Sequence, residues 1–500
     1  MSGTDRYARV VARGAELADL NSAMALLGWD QETKMPRKGV SGRAHVYATL
    51  SSLAHDKLTD AALGDDLRAL AANGFPEDSY EHILVREFLR LHEREAKVPR
   101  DLVTRMAELE ASATAEWAEA RANADFKSFV PTLDSIIRLK REHAEALGYE
   151  DEPYDALLDL YEPGMRTREL APVLSDLRDR LIPMVRRIAE AYPVSGPGVT
   201  AGPFDVAKQE QFGREVVTAL GFDLESGGRL DVSQHPFSSG IHAGDVRLTT
   251  RYADDLEMAL FGTIHEAGHG LYEQNLPATE RRGPVGQAVS MGIHESQSRL
   301  WENMVGRGRP FWVHFFPRLQ SLFPEQLGSV TLDTFYRTVN QVQPSFIRIE
   351  SDEMTYNLHI AVRFELEREF LSGRLATADL EEAWNAKYAD YLGVTPPNAR
   401  VGVLQDIHWS GGMVGYFPTY SLGNLYSAQL FNAARRDLPD LETDMARGHF
   451  LGLRDWLAER VHRLGRRHTA KELVQRATGA PVSAYDFVSY LETKFGELYP

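Results

Sequence analysis

Hydrophobic and polar residues alternate with a helical period over most of this chain. Apolar positions recur every three or four residues in segments 77–98, 101–125 and 168–192 and in the stretch after residue 425, as expected for amphipathic helices with one buried face. The segment PVSGPGVTAGPFD at 193–205 interrupts this pattern and predicts a loop. The pattern predicts a mainly α fold, and 500 residues suffice for one large domain or for two lobes around a groove.

One short segment has a period of two instead. Within residues 232–252, Val246 and Leu248 alternate with Arg247 and Thr249, and a Ser-Ser-Gly turn signal precedes them. We expect a small β ribbon that runs into the following helix. Its role is either structural or that of an edge strand offered to an extended peptide.

The helix after this ribbon is predicted to begin at Asp254 or Asp255. Glu257 follows Asp254 by three residues, which is the spacing of a capping box. The helix continues as FGTIHEAGHGLY at 261–272, which carries three glycines. Because each glycine costs a helix interior about 1 kcal/mol relative to alanine, we expect another element to pack closely against this helix.

The same helix carries the HExxH motif. His265 and His269 lie one turn apart, so both imidazoles reach the same point, while Glu266 is rotated by about 100°. In this arrangement two histidines bind zinc and the glutamate acts as general base. A chain of this composition contains the pattern by chance about 0.07 times. The alternative is a pair of core histidines that bind no metal.

A catalytic zinc needs a third protein ligand and an open position. We expect that ligand on a helix over residues 285–305, where Glu295 follows His269 by 26 residues. His294 is the alternative, rotated by about 100° from Glu295. Glu295 is favoured because Ala288 and Met291 are expected to mark an inward apolar face.

Composition narrows the chemistry and the partners. Without cysteine, the chain has no disulfide or thiolate ligand, which favours the cytoplasm. A formal charge of −17 argues against nucleic acid and anionic membranes as partners. The N-terminal segment lacks the pattern of a signal peptide, and no apolar run is long enough for a bilayer. A basic run at 460–471 is interpreted as a solvated face or an interface patch.

Taken together, these motifs resemble the carboxypeptidase Taq family of metallocarboxypeptidases. The resembling segments cover most of the chain in the family's order: WDQETKMP at 29–36, HPF at 235–237, D-x-R-x-T at 245–249, HEAGH at 265–269, HESQS at 294–298, IRIESDE at 347–353, GVLQDIHW at 402–409 and GYFPTYSLGNL at 415–425. Two departures are small. Ser351 stands where alanine is expected, and Met413-Val414 replaces a stretch that usually contains phenylalanine.

The resemblance implies a single domain over residues 1–500. It is expected to be a two-lobed helical fold with a deep central groove, related to neurolysin and angiotensin-converting enzyme, with 193–205 as a possible loop between the lobes. The resemblance also implies a homodimer that removes single residues from peptide C-termini with broad specificity. It implies His265, His269 and Glu295 as metal ligands.

Within that resemblance, Glu266 is the catalytic base. The metal is expected to be zinc, with cobalt or another divalent ion as alternatives. Tyr416, Tyr420 and His408 are candidates to stabilise the tetrahedral oxygen, although each is also a plausible packing residue. Of these, His408 and Tyr420 are expected to act in catalysis and Tyr416 in substrate binding.

The substrate's C-terminal carboxylate requires a cation. Arginine suits this role because its planar fork matches a carboxylate. Taken alone, Arg348 is expected to form a helical ion pair with Asp352, one turn away. With the resemblance, Arg348 becomes the leading anchor and Arg247 the second.

Three functions remain open at this point. A metallocarboxypeptidase needs the metal site and a cationic anchor for the chain end. An oligoendopeptidase or dipeptidyl carboxypeptidase would share the metal site but recognise a more distant chain end, or none. A helical binding protein without activity would not need Glu266, and this favours an enzyme.

Overall fold

The computed structural model describes residues 3–72, 74–194, 196 and 198–500. Its first part consists of helices: α1 Gly3–Thr33, α2 Val40–Leu58, α3 Ala61–Ala72, α4 Tyr80–Lys97, α5 Arg100–Asn123, α6 Phe126–Leu147, α7 Pro153–Leu158, α8 Thr167–Ala191 and α9 Val206–Leu220. The three amphipathic segments at 77–98, 101–125 and 168–192 correspond to α4, α5 and α8, so these predictions are confirmed.

Helix α8 shows why the apolar period predicts the fold here. Its apolar residues at three- and four-residue steps, from Leu170 to Ile188, are all buried. The predicted loop at 193–205 lies between α8 and α9, and its residues 195 and 197 lie outside the described residues. The division into two lobes around a groove stays a prediction.

A small sheet follows α9. Its strands are β1 Gly228–Val232, β2 Ser238–His242 and β3 Asp245–Thr250, in the order β1-β3-β2. β3 pairs antiparallel with β2 and parallel with β1, with Leu230 opposite Leu248. The predicted ribbon is confirmed as the β2–β3 pair, whereas β1 was not predicted. Val246 and Leu248 are fully buried, and the sheet packs against the next helix.

The remaining elements are again helical. They are α10 Glu257–Asn275, α11 Met291–Arg299, α12 Arg309–Leu322, α13 Pro324–Leu327, α14 Leu332–Thr338, α15 Tyr356–Leu371, α16 Leu380–Leu392, α17 Pro418–Asp437, α18 Leu441–Ala446, α19 Leu451–Arg460, α20 Ala470–Thr478 and α21 Tyr485–Leu498. A π-helical segment, Leu300–Gly306, directly continues α11. The mainly α fold class is confirmed.

Two hydrophobic cores stabilise the described part of the chain. The larger one joins residues from α5 to α21 and includes the fully buried Trp301, Trp312 and Trp384. Each large apolar side chain buried in it contributes about 1.5–3 kcal/mol. The smaller core joins α1, α3 and α4 and includes Val285 from the segment before α11. None of the helices in the described residues has the length and apolar character needed to cross a membrane.

The basic run at 460–471 makes contacts within the chain. Arg466 donates to the carbonyl oxygen of Ala288 at 2.8 Å, and Arg467 forms an ion pair with Glu280. Lys471 lies 2.7 Å from Glu169. Arg460 and Arg463 are exposed, so only part of this run is a solvated face. The alternative role as an interface patch stays a prediction.

Candidate metal centre and active site

Helix α10 carries the HExxH motif but begins later than predicted. It starts at Glu257, and the expected capping box with Asp254 is not formed. Asp255 instead accepts a hydrogen bond from the backbone N–H of Met258 at 3.0 Å. The Glu257 carboxylate accepts from the Thr200 hydroxyl at 2.5 Å. The start of α10 is thus fixed by Asp255 and by a contact with the segment before α9.

Glycines allow α10, α11 and α17 to approach one another closely. A Cβ atom on Gly268 of α10 would lie 2.6 Å from both the Gln297 carbonyl oxygen and the Ser298 Cα atom of α11. A Cβ atom on Gly423 of α17 would lie 2.7 Å from the Cβ atom of Glu295. Both distances are shorter than real Cβ contacts. The close packing expected from the glycines of α10 is therefore present at Gly268.

Helix α11 is shorter than the predicted segment 285–305. It begins at Met291, where the Ser290 hydroxyl accepts from the backbone N–H of Ile293 at 3.1 Å. Met291 is 41% exposed, so the expectation of an inward apolar face was wrong for Met291, whereas Ala288 packs against the larger core. Glu295 is nevertheless buried against α10, because the close contacts of α11 with α10 and α17 enclose it.

Three donor atoms converge between α10 and α11. The Oε2 atom of Glu295 lies 3.7 Å from His265 Nε2 and 3.5 Å from His269 Nε2. All three ligand atoms lie within 4.8 Å of one another. Ligands about 2.0–2.1 Å from a tetrahedral zinc ion are about 3.3 Å apart, so these residues fit a divalent ion. Two imidazoles and one carboxylate also leave a coordination position open.

Two further charged groups support these donors. Glu302, on the π-helical segment, lies 2.8 Å from His265 Nδ1 through its Oε2 atom, so the other nitrogen of that ring faces Glu295. Arg299 donates to Glu295 Oε1 at 2.7 Å and to Glu302 at 3.3 Å. Burial alone would raise the pKa of Glu302, but Arg299 and His265 lower that pKa to about 2. Burial would likewise raise the pKa of Glu295, but Arg299 and His265 lower it, so both carboxylates are held in the ionised form.

His294, the alternative ligand, lies elsewhere around His269. Its Nδ1 atom is 2.6 Å from His269 Nδ1, on the edge of that ring away from Glu295. Its Nε2 atom is 2.9 Å from Glu273 Oε1. The structure thus brings Glu295, and not His294, to the two Nε2 atoms.

Glu266 lies beside the three donors and is 7% exposed. Burial raises the pKa of its carboxyl group to about 7, with a lowering effect of His265 and a raising effect of Glu295. Among the described residues, no side chain forms a hydrogen bond with Glu266. Its oxygens are therefore available to a substrate or to water, at a pKa suited to accepting and returning a proton near neutral pH.

Three aromatic side chains form the next part of the site. The rings of Tyr416 and Tyr420 are 5.3 Å apart, and that of His408 is 5.5 Å from Tyr416. His408 Nε2 lies 3.4 Å from the Tyr420 hydroxyl. Burial and then the charge of Glu295 raise the pKa of Tyr416 to about 12. Burial lowers the pKa of His408 to about 4, so its imidazole is neutral at pH 7.

Arg348 does not form the helical pair that its spacing from Asp352 suggests. It lies in a 3₁₀ turn, Arg348–Glu350, and is 4% exposed. Its Nε and Nη2 atoms donate to Asp406 at 3.1 and 2.8 Å, and its Nη1 atom donates to the Tyr356 hydroxyl at 2.8 Å. Asp352 instead accepts from the backbone N–H of Thr355 at 3.0 Å. The expectation of an Arg348–Asp352 pair was therefore wrong.

Contacts of buried side chains join Arg348 to the metal donors. The Arg299 guanidinium, which pairs with Glu295, lies 4.3 Å from the centre of the Tyr356 ring. The Arg348 guanidinium lies 4.9 Å from the centre of the Tyr420 ring. Two side chains, Tyr356 and Arg299, therefore connect Arg348 to Glu295.

Arg247 lies in a different environment. On β3, it donates to both carboxylate oxygens of Asp245, at 2.8 and 2.9 Å, and its guanidinium lies 4.3 Å from the centre of the Trp29 ring on α1. These contacts connect the sheet to α1. Within the described residues, none of them reaches the metal donors.

Sequence reasoning did not find several residues that shape this site. Glu273 and Arg299 each lie one turn beyond a proposed ligand on the same helix, a spacing that marks them as neighbours of the metal donors. Asp406 lies in the GVLQDIHW segment, but its pairing with Arg348 joins positions 58 residues apart. No local pattern indicates a contact of that kind.

Two histidines of an HExxH helix and a glutamate form a donor set typical of metal-dependent peptide hydrolases, and comparisons with known proteins define the family. The model of the carboxypeptidase Taq (M32) metallopeptidase family matches residues 9–495. Thermostable carboxypeptidase 1 of Thermus thermophilus is 45% identical over 505 residues, which cover 99% of each chain. Carboxypeptidase 1 of Bacillus subtilis is 36% identical over 97% of this chain and 96% of its own.

A solved structure agrees with these sequence matches. The crystal structure of the M32 carboxypeptidase from Deinococcus radiodurans R1 superposes with a TM-score of 0.95 at 39% identity, covering 99% of each chain. This chain belongs to the carboxypeptidase Taq (M32) family and is a metallocarboxypeptidase. The resemblance found in the sequence is confirmed.

Proposed function

We propose that this protein binds a divalent ion, zinc foremost, through His265, His269 and Glu295. With it, the enzyme releases single amino acids from the C-termini of peptides with broad specificity. The observation that carries this proposal is the convergence of two imidazole nitrogens on one carboxylate oxygen, at 3.5–3.7 Å, beside a buried glutamate. Cobalt or another divalent ion suits the same donors, because affinity order alone does not select the metal.

Glu266 is the general base in this proposal. His265, His269 and Glu295 would hold the ion, which would polarise the scissile carbonyl and lower the pKa of a water molecule to about 7. Glu266 takes a proton from the attacking water as the new carbon–oxygen bond forms. It then delivers that proton to the leaving nitrogen as the carbon–nitrogen bond breaks. Burial raises the pKa of Glu266, which supports its capacity to hold the proton between the two transfers.

His408, Tyr416 and Tyr420 stabilise the negative charge that develops on the carbonyl oxygen. The raised pKa of each tyrosine keeps its hydroxyl protonated. The low pKa of His408 keeps its ring neutral. All three therefore offer uncharged donors in a largely buried site, where a hydrogen bond to an oxyanion is stronger than in water.

Arg348 anchors the terminal carboxylate of the substrate. A guanidinium has five N–H groups, and the bonds to Asp406 and Tyr356 use three. The remaining two can donate to a carboxylate. Asp406 orients the fork, and the distance of 4.9 Å from the guanidinium to the centre of the Tyr420 ring supports this role. Arg247 is the second candidate, although its contacts lie along the sheet.

Replacing Glu266 by glutamine tests the base directly. Glu266→Gln removes the proton acceptor but none of the metal donors, so we expect full metal content and a loss of several orders of magnitude in kcat. His265→Ala is the matched control, because it should lose the metal itself. The measurements are metal analysis after dialysis and peptide hydrolysis. Near-normal turnover by Glu266→Gln would refute the proposed mechanism.

A further inference from the structure

We propose that His294 and Glu273 position the metal ligand His269 by fixing which of its nitrogens carries the proton. The inference rests on the proposed metal site. Its basis is a chain of contacts that leads away from the metal donors: His269 Nδ1 lies 2.6 Å from His294 Nδ1, and His294 Nε2 lies 2.9 Å from Glu273 Oε1. Glu273 and His269 are one turn apart on α10, and His294 reaches both from α11.

The direction of each hydrogen bond follows from the carboxylate at the end of the chain. An ionised carboxylate only accepts hydrogen bonds, so His294 must donate from Nε2 to Glu273. A neutral imidazole that donates from Nε2 has a lone pair at Nδ1, and this accepts from His269. His269 therefore carries its proton on Nδ1, and its Nε2 lone pair faces Glu295. That tautomer is the one a metal ion requires from His269 in this orientation.

Glu273 is itself fixed in the ionised, oriented state. It is 8% exposed and forms an ion pair with Arg281, which is 6% exposed. Burial opposes ionisation of Glu273, but His294 and Arg281 lower its pKa below the usual value. Arg281 also donates to the carbonyl oxygens of Gly240 at 3.2 Å and Gly286 at 3.3 Å. The carboxylate thus has little freedom to turn away from His294.

Strand β2 closes the space around this carboxylate. A Cβ atom on Gly240 would overlap the side chain of Glu273, so the strand passes directly over it. Because β2 is an edge strand of the sheet, the chain of contacts runs from that edge through Arg281, Glu273 and His294 to His269. Residues that do not themselves bind the metal thus orient the ligand His269.

His462, a fully buried histidine near His294, provides an internal comparison. His294 and His462 both pack against the ring of Tyr272, at 5.2 and 5.1 Å between ring centres. His462 Nε2 lies 2.9 Å from the Gln297 amide oxygen on α11, and no contact of His462 in the described residues reaches a proposed metal ligand. Substituting His462 therefore perturbs a similar environment without breaking the chain to His269.

Two substitutions at His294 separate its two contacts. In His294→Asn, the amide oxygen takes the place of Nδ1 and still accepts from His269. In His294→Gln, the amide reaches the place of Nε2 and keeps the contact with Glu273 but not that with His269. Loss of an outer partner weakens metal affinity by about 10- to 100-fold. We expect such a loss in His294→Gln and a change of less than about threefold in His294→Asn.

The affinity for Zn²⁺ is measured by competition with a chromophoric chelator, and the visible absorption of the Co²⁺-loaded protein reports the ligand geometry. His462→Gln is the control, with expected affinity and Co²⁺ spectrum close to those of the wild type. Glu273→Gln is a second variant, because its amide no longer imposes one tautomer on His294. We expect its Zn²⁺ affinity to fall by about tenfold.

The outcomes distinguish this inference from the proposed function. If the wild type does not bind one ion per chain, or if His269→Ala binds the ion as well as the wild type does, the proposed metal site is wrong. If the wild type binds through His269 but His294→Gln and Glu273→Gln bind equally well, the positioning role is wrong. If His294→Asn loses the ion as completely as His269→Ala, His294 is a ligand and the positioning role is likewise wrong.

Discussion

Replacing Gly423 by alanine tests the packing that places Glu295. The added methyl group would lie 2.7 Å from the Glu295 Cβ atom and 3.1 Å from its carbonyl carbon, whereas ordinary contacts begin at 3.4 Å. The two atoms must therefore separate by about 0.7 Å, and a shift of Glu295 by that amount exceeds the tolerance of about 0.2 Å for a metal–ligand distance. We expect Gly423→Ala to weaken metal binding by more than tenfold.

The same substitution should also destabilise the metal-free protein. An overpacked core costs about 1–3 kcal/mol, and alanine in a helix returns about 1 kcal/mol relative to glycine. With contacts as close as these, the net loss is about 2 kcal/mol. Gly496 on α21 is the matched control, because a Cβ atom there would meet nothing within 4 Å. Gly496→Ala should therefore gain up to about 1 kcal/mol.

Denaturant unfolding of the metal-free proteins and chelator competition measure the two effects. The difference in unfolding free energy between the two variants is expected to be about 3 kcal/mol. If Gly423→Ala is as stable as Gly496→Ala and binds metal like the wild type, α11 and α17 do not constrain Glu295. The reasoning from close helix packing would then be refuted.

Three further predictions concern the substrate end, pH and assembly. Arg348→Ala should lower kcat/KM on free-acid peptides by about 30- to 1000-fold with unchanged metal content; a preference for acid over amide that survives this change would point to Arg247. Burial raises the pKa of Glu367 from 4.5 to about 7, so its contribution to stability is full below pH 4.5 and is lost as the pH rises through 7. Between pH 5 and 8 the free energy of unfolding of the wild type should fall by up to about 3 kcal/mol more than that of Glu367→Gln. Equal decreases in denaturant unfolding experiments would contradict this. We also predict a homodimer, so light scattering should give about twice 56.1 kDa, and a monomer mass at micromolar protein would exclude it.

Periodicity predicts the helices well wherever one face packs on the core. Helix α8 is the clearest case, because its apolar residues at three- and four-residue steps from Leu170 to Ile188 are all buried. Prediction was poorer where a polar side chain or a distant segment sets the boundary. The start of α11 depends on Ser290 as a cap. Strand β1 pairs with β3, although β2 lies between them in the sequence.

The candidate site divides in the same way. Spacing on one helix brings His265, Glu266 and His269 together, and the sequence is enough to find them. Arg348 shows the limit, because its partner Asp406 lies 58 residues away, and nearby Asp352 suggested the wrong pair. Exposure of Met291 likewise could not be deduced from its apolar character. Tertiary contacts, and not local pattern, decide these positions.

The most direct test of the account is a time course of amino-acid release from one peptide. The peptide is supplied as the free acid and as the C-terminal amide, to both metal-loaded and metal-stripped enzyme. We predict stepwise release of single residues from the free acid by the loaded enzyme. Little release is expected from the amide, and none from either peptide after metal removal. Equal cleavage of acid and amide, or undiminished release by the stripped enzyme, would contradict a metal-dependent carboxypeptidase.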